Sequence, residues 1–139
     1  MKKLLLLLLF IPIVSFSQTP ITQSNIQDAV DLWVSNQTNA EEEYGHISDW
    51  DVSNVTNMDS LFQDLVFNQD ISNWDVSSVV NLISVFSYSQ FNQDISNWNI
   101  SSALGMNNIF KDSRCFFHFV FIYKYYDKNL VATNFNKNN

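Results

Sequence analysis

Ile47-Ser48-Asp49-Trp50-Asp51-Val52-Ser53 returns as Ile71-Ser72-Asn73-Trp74-Asp75-Val76-Ser77, and again as Ile95-Ser96-Asn97-Trp98-Asn99-Ile100-Ser101. Each return falls 24 residues further on, without insertion. The register holds through the rest of the unit. Val55, Val79 and Ala103 correspond, as do Met58, Leu82 and Met106. So do Leu61, Val85 and Ile109, and Phe62, Phe86 and Phe110. Phe67-Asn68-Gln69-Asp70 is repeated in Phe91-Asn92-Gln93-Asp94. A fixed period of about 20 to 50 residues marks an architecture of stacked units, because one such unit cannot bury its own apolar face and its neighbours must cover it.

Within a unit, Val55, Met58, Leu61 and Phe62 fall at i, i+3, i+6 and i+7, the spacing of one face of a short helix. Thr56 and Asp59 offer a capping box in the first unit only; Val80 and Ile83 stand there in the second. The stretch from Gln69 to Asn73 reads as a short strand with Ile71 inward, after which Trp74 and Val76 alternate. Asn, Asp and Ser supply the turns through side-chain bonds to backbone, in a chain with two glycines. The expected repeat core is Trp50, Trp74, Trp98, Phe62, Phe86, Phe110, Ile71 and Ile95, each buried Phe or Ile contributing roughly 1.5–3 kcal/mol. The expected fold is an α/β repeat: a solenoid of about three coils, with short parallel strands and short helices, behind an N-terminal helical cap. Gln69, Ser72 and Asn73, with their equivalents Gln93, Ser96 and Asn97, would form a polar strand ribbon suited to an extended partner.

The pattern W-D-V-S-x-V, a Met or Leu, L-F, then F-N-Q-D-I-S-x-W resembles that of the BspA-like leucine-rich-repeat surface proteins of bacteria. The lead-in Tyr44-Gly45-His46-Ile47-Ser48-Asp49-Trp50-Asp51 is similar to the entry to that family's array. The resemblance covers roughly Ile26 to Asp112. It implies a leucine-rich-repeat-like solenoid at the cell surface, with adhesion or binding of host or matrix proteins as the role of some members. It brings no catalytic residues.

The ends read differently. Lys2 and Lys3, the apolar run Leu4 to Val14 and then Ser15-Phe16-Ser17 have the three-part form of a secretory signal, so residues 1–17 are expected to be removed after Ser17. The run is too short to cross a bilayer core, which needs about 20 apolar residues. Residues 18–46 form the expected helical cap. Ile26, Ala29, Val30, Trp33 and Val34 have helical spacing, Ser24 or Asn25 is placed to cap the start, and Glu41-Glu42-Glu43 reads as a solvated loop. Residues 47–114 hold the repeats. At Cys115 the expected Phe-Asn-Gln-Asp gives way to Cys115-Phe116-Phe117-His118-Phe119-Val120-Phe121-Ile122-Tyr123 and an Asn- and Lys-rich end. Residues 115–139 are therefore read as out-of-frame translation of a cut array, the rival being an aromatic strand that caps it.

Without Lys2 and Lys3 the chain holds five basic and fourteen acidic residues, a formal charge of −9. That sign argues against nucleic acid, whose binding rests on neutralised phosphates. With one cysteine, Cys115, no intramolecular disulfide can form. Cys115 with His118 lacks a third, orienting group for nucleophilic catalysis. No catalytic or phosphate-binding motif occurs. Asp51 with Asp75, and Asp70 with Asp94, recur at the repeat spacing, but two oxygens per coil make a poor Ca²⁺ cage, and solvated turns are the simpler reading. A sugar-binding stripe of Trp50, Trp74 and Trp98 is likewise set below buried core. The sequence thus describes a non-enzymatic, exported or cell-surface module without metal or cofactor, recognising an extracellular protein or glycan. The competing reading is a structural spacer for a domain lost downstream.

Overall fold

The computed structural model describes residues 17–114. The leader up to Phe16 and the tail 115–139, with Cys115 and His118, lie outside the described residues.

Two helices precede the repeats. Helix α1, Ile26–Ser35, buries Ile26, Ala29, Val30 and Trp33, one face at helical spacing. Its start is not capped as expected. The Asn25 side chain turns back, its Oδ1 accepting from the Thr22 N–H (2.7 Å) and its Nδ2 donating to the Pro20 carbonyl (2.9 Å). Asn36 ends α1 and starts α2, Gln37–Tyr44, by accepting the Asn39 N–H on its side chain. The glutamates Glu41 to Glu43 thus lie in a helical turn, not the loop expected. Gly45 ends α2 at φ 80° and ψ 179°, a backbone conformation that favours glycine.

The repeats contain neither the strands nor the helices expected of a leucine-rich-repeat-like solenoid, and that fold class is overturned. Among the described residues, 50–114 hold no helix and no strand, and only two isolated parallel bridges, Asn57 to Asn81 and Asn81 to Gly105. The chain instead winds in 24-residue coils of consecutive tight turns, laid one on another. The hydrogen bonds show why. Met58, Ser60, Phe62 and Asp64 donate sideways to the carbonyls of Asn81, Ile83, Val85 and Ser87 in the next coil, at 2.9–3.0 Å. Leu61, Gln63 and Leu65 donate back to Met58, Ser60 and Phe62 within their own coil. The Asp59 N–H donates to Asn57 Oδ1, in place of the expected capping box. Every N–H from Met58 to Leu65 is thereby satisfied, as burial requires. The second coil repeats the scheme: Leu82, Ser84, Phe86 and Tyr88 donate to Gly105, Asn107, Ile109 and Lys111, and the Ile83 N–H donates to Asn81 Oδ1.

An α-helix cannot send alternate N–H groups sideways. This backbone does so through a left-handed residue in every second turn, at Ser60 and Asp64, Ser84 and Tyr88, Asn108 and Asp112, all with φ between 53° and 60°. None is glycine. Each such residue costs roughly 1–2 kcal/mol, less for Asn and Asp, and the sideways bonds hold it there. The segment expected as a strand is bent as well. Asp70 Oδ1 accepts the Ser72 N–H, and Trp74 N–H returns to the Ile71 carbonyl.

The apolar residues line the inside of the winding. Val55, Met58, Leu61 and Phe62 are all buried, although no helix carries them. Phe62, Phe86 and Phe110 stack face to face at 5.4 and 5.5 Å, and Phe67 lies over Phe91 at 6.1 Å. Trp50 stacks on Trp74 at 6.1 Å. Trp74 and Trp98 each send Nε1–H down to the coil before, to the carbonyls of Ile47 (2.8 Å) and Ile71 (3.1 Å). Trp50 donates to Gly45 (3.0 Å). The indoles are core, with their one polar atom satisfied. Ile71 and Ile95 are fully buried beside them.

The first coil is closed by a side chain. Val80 and Asn81 both donate to the Thr56 carbonyl, and Leu104 and Gly105 both donate to that of Val80. Thr56 and Asn57 have no earlier coil to donate to. Gln23 Oε1 takes both N–H groups, at 3.0 and 2.9 Å, and its Nε2 donates to the Asn57 carbonyl. One amide side chain replaces a missing backbone carbonyl.

Four exposed aspartates hold corners of the coils. Asp51, Asp70, Asp75 and Asp94 each accept an N–H two residues on, from Ser53, Ser72, Ser77 and Ser96. Bonds from these serines lower all four carboxyl pKa values below the usual 3.8, with desolvation opposing weakly. In the third coil Asn99 makes the same turn to Ser101 without a charge.

Two outcomes follow. Gln23→Met keeps the length but removes the acceptor, and should lower stability by about 1 kcal/mol in urea unfolding. Amide exchange should quicken at Thr56 and Asn57 and not at Leu104. For the aspartates, a folded pKa below the unfolded one adds stability that is complete above the unfolded value and lost as pH falls through the folded one. The urea midpoint should therefore hold from neutral pH down to about 5 and decline below about 4. Asp75→Asn, the residue type that Asn99 supplies at the same corner one coil on, should flatten that decline; an acid limb unchanged by the substitution would contradict the assignment.

Candidate functional site

The stacked core fixes which side chains face outward. The residues expected to form a binding ribbon sit at a turn of each coil, not on a strand. Gln69, Asn73 and Asn97 are exposed, and Ser72, Gln93 and Ser96 are half-buried. They do not all play one part. Gln93 Nε2 donates to the Asn68 carbonyl one coil earlier (3.0 Å), and the Asn92 N–H to Asn68 Oδ1 (2.7 Å), so that pair ties coils together. The Ser72 and Ser96 N–H groups are held by Asp70 and Asp94. Gln69, Asn73 and Asn97 keep side-chain amides with no hydrogen bond among the described residues.

The row extends one coil further back, in the register the sequence sets. Asp49 holds in the first coil the place of Asn73 and Asn97, since Trp50, Trp74 and Trp98 each donate their backbone N–H to the corresponding Ile carbonyl. The row thus runs Asp49, Asn73, Asn97, with one charge at its start.

That start borders a cleft of about 560 Å³, which no motif in the sequence announces. One wall is the segment from Gln18 to Gln23, pinned by the Thr19 N–H to the Glu43 carbonyl (2.7 Å). The other is the first coil from Asp49 to Asn54, with Tyr44 alongside. The volume falls in the range of small-molecule and side-chain sites, about 300–1,000 Å³. Among the described residues its charged lining groups are Asp49 and Asp51. Asp51 Oδ1 accepts both the N–H (3.0 Å) and hydroxyl (2.6 Å) of Ser53, and Asp49 Oδ1 accepts the Ser48 hydroxyl (3.2 Å). Burial raises the Tyr44 phenol pKa above 10.0, helped by Glu43 and then by Asp28. The cleft is hidden in the letters because its walls are some thirty residues apart and meet only in the fold.

Other expectations can be placed. His46 packs edge-on against Trp33 at 5.1 Å and shares a bond with Ser48 Oγ (2.7 Å). Among the described residues no group of His, Cys, Asp or Glu is arranged to hold a metal, and no helix is long and apolar enough to cross a membrane.

Searches of curated proteins and of solved structures return no match. A family model described as "Mycoplasma protein of unknown function, DUF285" matches residues 19–138, from the N-terminal segment through all three coils. With nearly the whole chain covered, the protein belongs to this DUF285 repeat family.

Proposed function

We propose that the protein is an exported or cell-surface repeat module, without catalytic activity, that recognises an extracellular protein or glycan through the outer row of its coils. The observation that carries this reading is the pair Asn73 and Asn97: exposed amides, one coil apart, with no hydrogen bond of their own among the described residues, mounted on a fully packed core. Their donors and acceptors are not spent on the fold, and their spacing matches a repeating or extended partner. The resemblance of the W-D-V-S and F-N-Q-D-I-S motifs to BspA-like surface proteins supports the same class, as does membership in a repeat family. The acidic balance disfavours nucleic acid and anionic membrane as partners.

The test is binding of the full chain to immobilised matrix proteins and to a glycan array. Asn73→Ala combined with Asn97→Ala should weaken the strongest response roughly tenfold, or about 1.4 kcal/mol, with the urea midpoint unchanged. A chain that binds nothing on either surface is the outcome expected of a spacer, and it would remove this reading.

A further inference from the structure

Gln18 opens one wall of the cleft, and it is also the residue that cleavage after Ser17 leaves first in the chain. A glutamine in that place is chemically unlike one anywhere else. Within a chain its backbone nitrogen is an amide and a poor nucleophile. At the amino terminus it is an amine, and its attack on the Cδ of the same residue closes a five-membered ring. The residue itself holds nucleophile and electrophile together, so proximity costs nothing further.

The fold leaves both groups uncommitted. Gln18 is exposed, and neither its backbone nitrogen nor its carboxamide has a hydrogen bond among the described residues. The carboxamide lies over Gly45, which has no side chain to fill that space: Nε2 and Oε1 stand 2.7 Å from the place of a Cβ. The chain is tied down one residue later. Thr19 donates its N–H to the Glu43 carbonyl (2.7 Å), and Ile21 is buried. Ring closure turns bonds within Gln18 and breaks no hydrogen bond of the described fold.

We infer that Gln18 is a modification site, at which the α-amine freed by export closes on the side chain to give a pyroglutamyl terminus. The neutral α-nitrogen forms a bond to Cδ, the Cδ–Nε2 bond breaks, and a proton from the amine leaves with Nε2 as ammonia. No oxidant, metal or second substrate enters the balance. The product is an uncharged lactam, whereas an α-amine, with a usual pKa of about 7.7–8.0, is largely a cation at neutral pH. Among the described residues Lys and Arg occur only at Lys111 and Arg114, in the third coil. Closure thus removes the cation that export sets on a cleft lined by Asp49 and Asp51. The inference rests on the export reading above, since only a chain that has lost its leader carries the amine.

The test is mass spectrometry of the full chain after export from a bacterial host. Cleavage before Asp28 releases the N-terminal peptide. The protein is incubated near pH 8, where about half of an α-amine is neutral, beside the free peptide Gln-Thr-Pro-Ile-amide, until the latter has largely cyclised. The protein's N-terminal peptide should begin at Gln18, become lighter by one ammonia and close to Edman sequencing. Its rate should lie within about tenfold of the free peptide's, because the fold ties up neither reacting group. In Gln18→Ala the same peptide should lose nothing. A Gln18 terminus that keeps its ammonia, or loses it more slowly than this, overturns the inference and leaves export standing. So does an exported chain that begins at another residue, or an equal loss of ammonia from Gln18→Ala. A chain that keeps its leader overturns both readings.

Discussion

The sideways hydrogen bonds from Met58, Ser60, Phe62 and Asp64, and from their equivalents one coil on, to the carbonyls of the next coil are the constraint on which the structure depends. It sets the distance between coils, so the phenylalanine rings stack in parallel with centroids 5.4–5.5 Å apart. It leaves only alternate N–H groups for bonds within a coil, and consecutive turns are what such a backbone can form. It fixes equivalent residues one above another. The buried columns and the exposed rows are consequences of the same ladder.

The ladder also explains what the letters disclosed and what they hid. The 24-residue register is plain in the sequence and recurs in the hydrogen bonds, because equivalent residues face equivalent neighbours. The local conformation was not legible. Val55, Met58, Leu61 and Phe62 have a spacing that a helix and a run of tight turns both produce. The discriminating feature is left-handed backbone at positions such as Ser60 and Tyr88, and neither residue advertises it as glycine would. Helix α2 was missed because Ala40 is its one buried residue, which leaves almost no periodicity to read. Of the proposed ribbon, Asn73 and Asn97 face outward, whereas Gln93 is spent on coil-to-coil bonding, a distinction that depends on where Asn68 lies.

Short polar side chains do in this fold much of what glycine and regular secondary structure do elsewhere. Asn57 and Asn81 start the turn runs, and aspartates or Asn99 hold the corners. Asn36 joins two helices in a single residue. Four of the surface charges, Asp51, Asp70, Asp75 and Asp94, are structural in this way, each accepting a backbone N–H two residues on.

The amide of Gln23 gives the array a beginning. A coil in the interior meets the same donors and acceptors above and below, so a copy of the unit placed between two others finds every bond it needs already on offer. The first coil requires a special neighbour, and that neighbour lies outside the repeated segment. Length is therefore a quantity that unequal recombination between repeats can change in whole steps without inventing a new contact. A gene of this kind can lengthen or shorten its product over generations while its opening residues stay under one fixed demand.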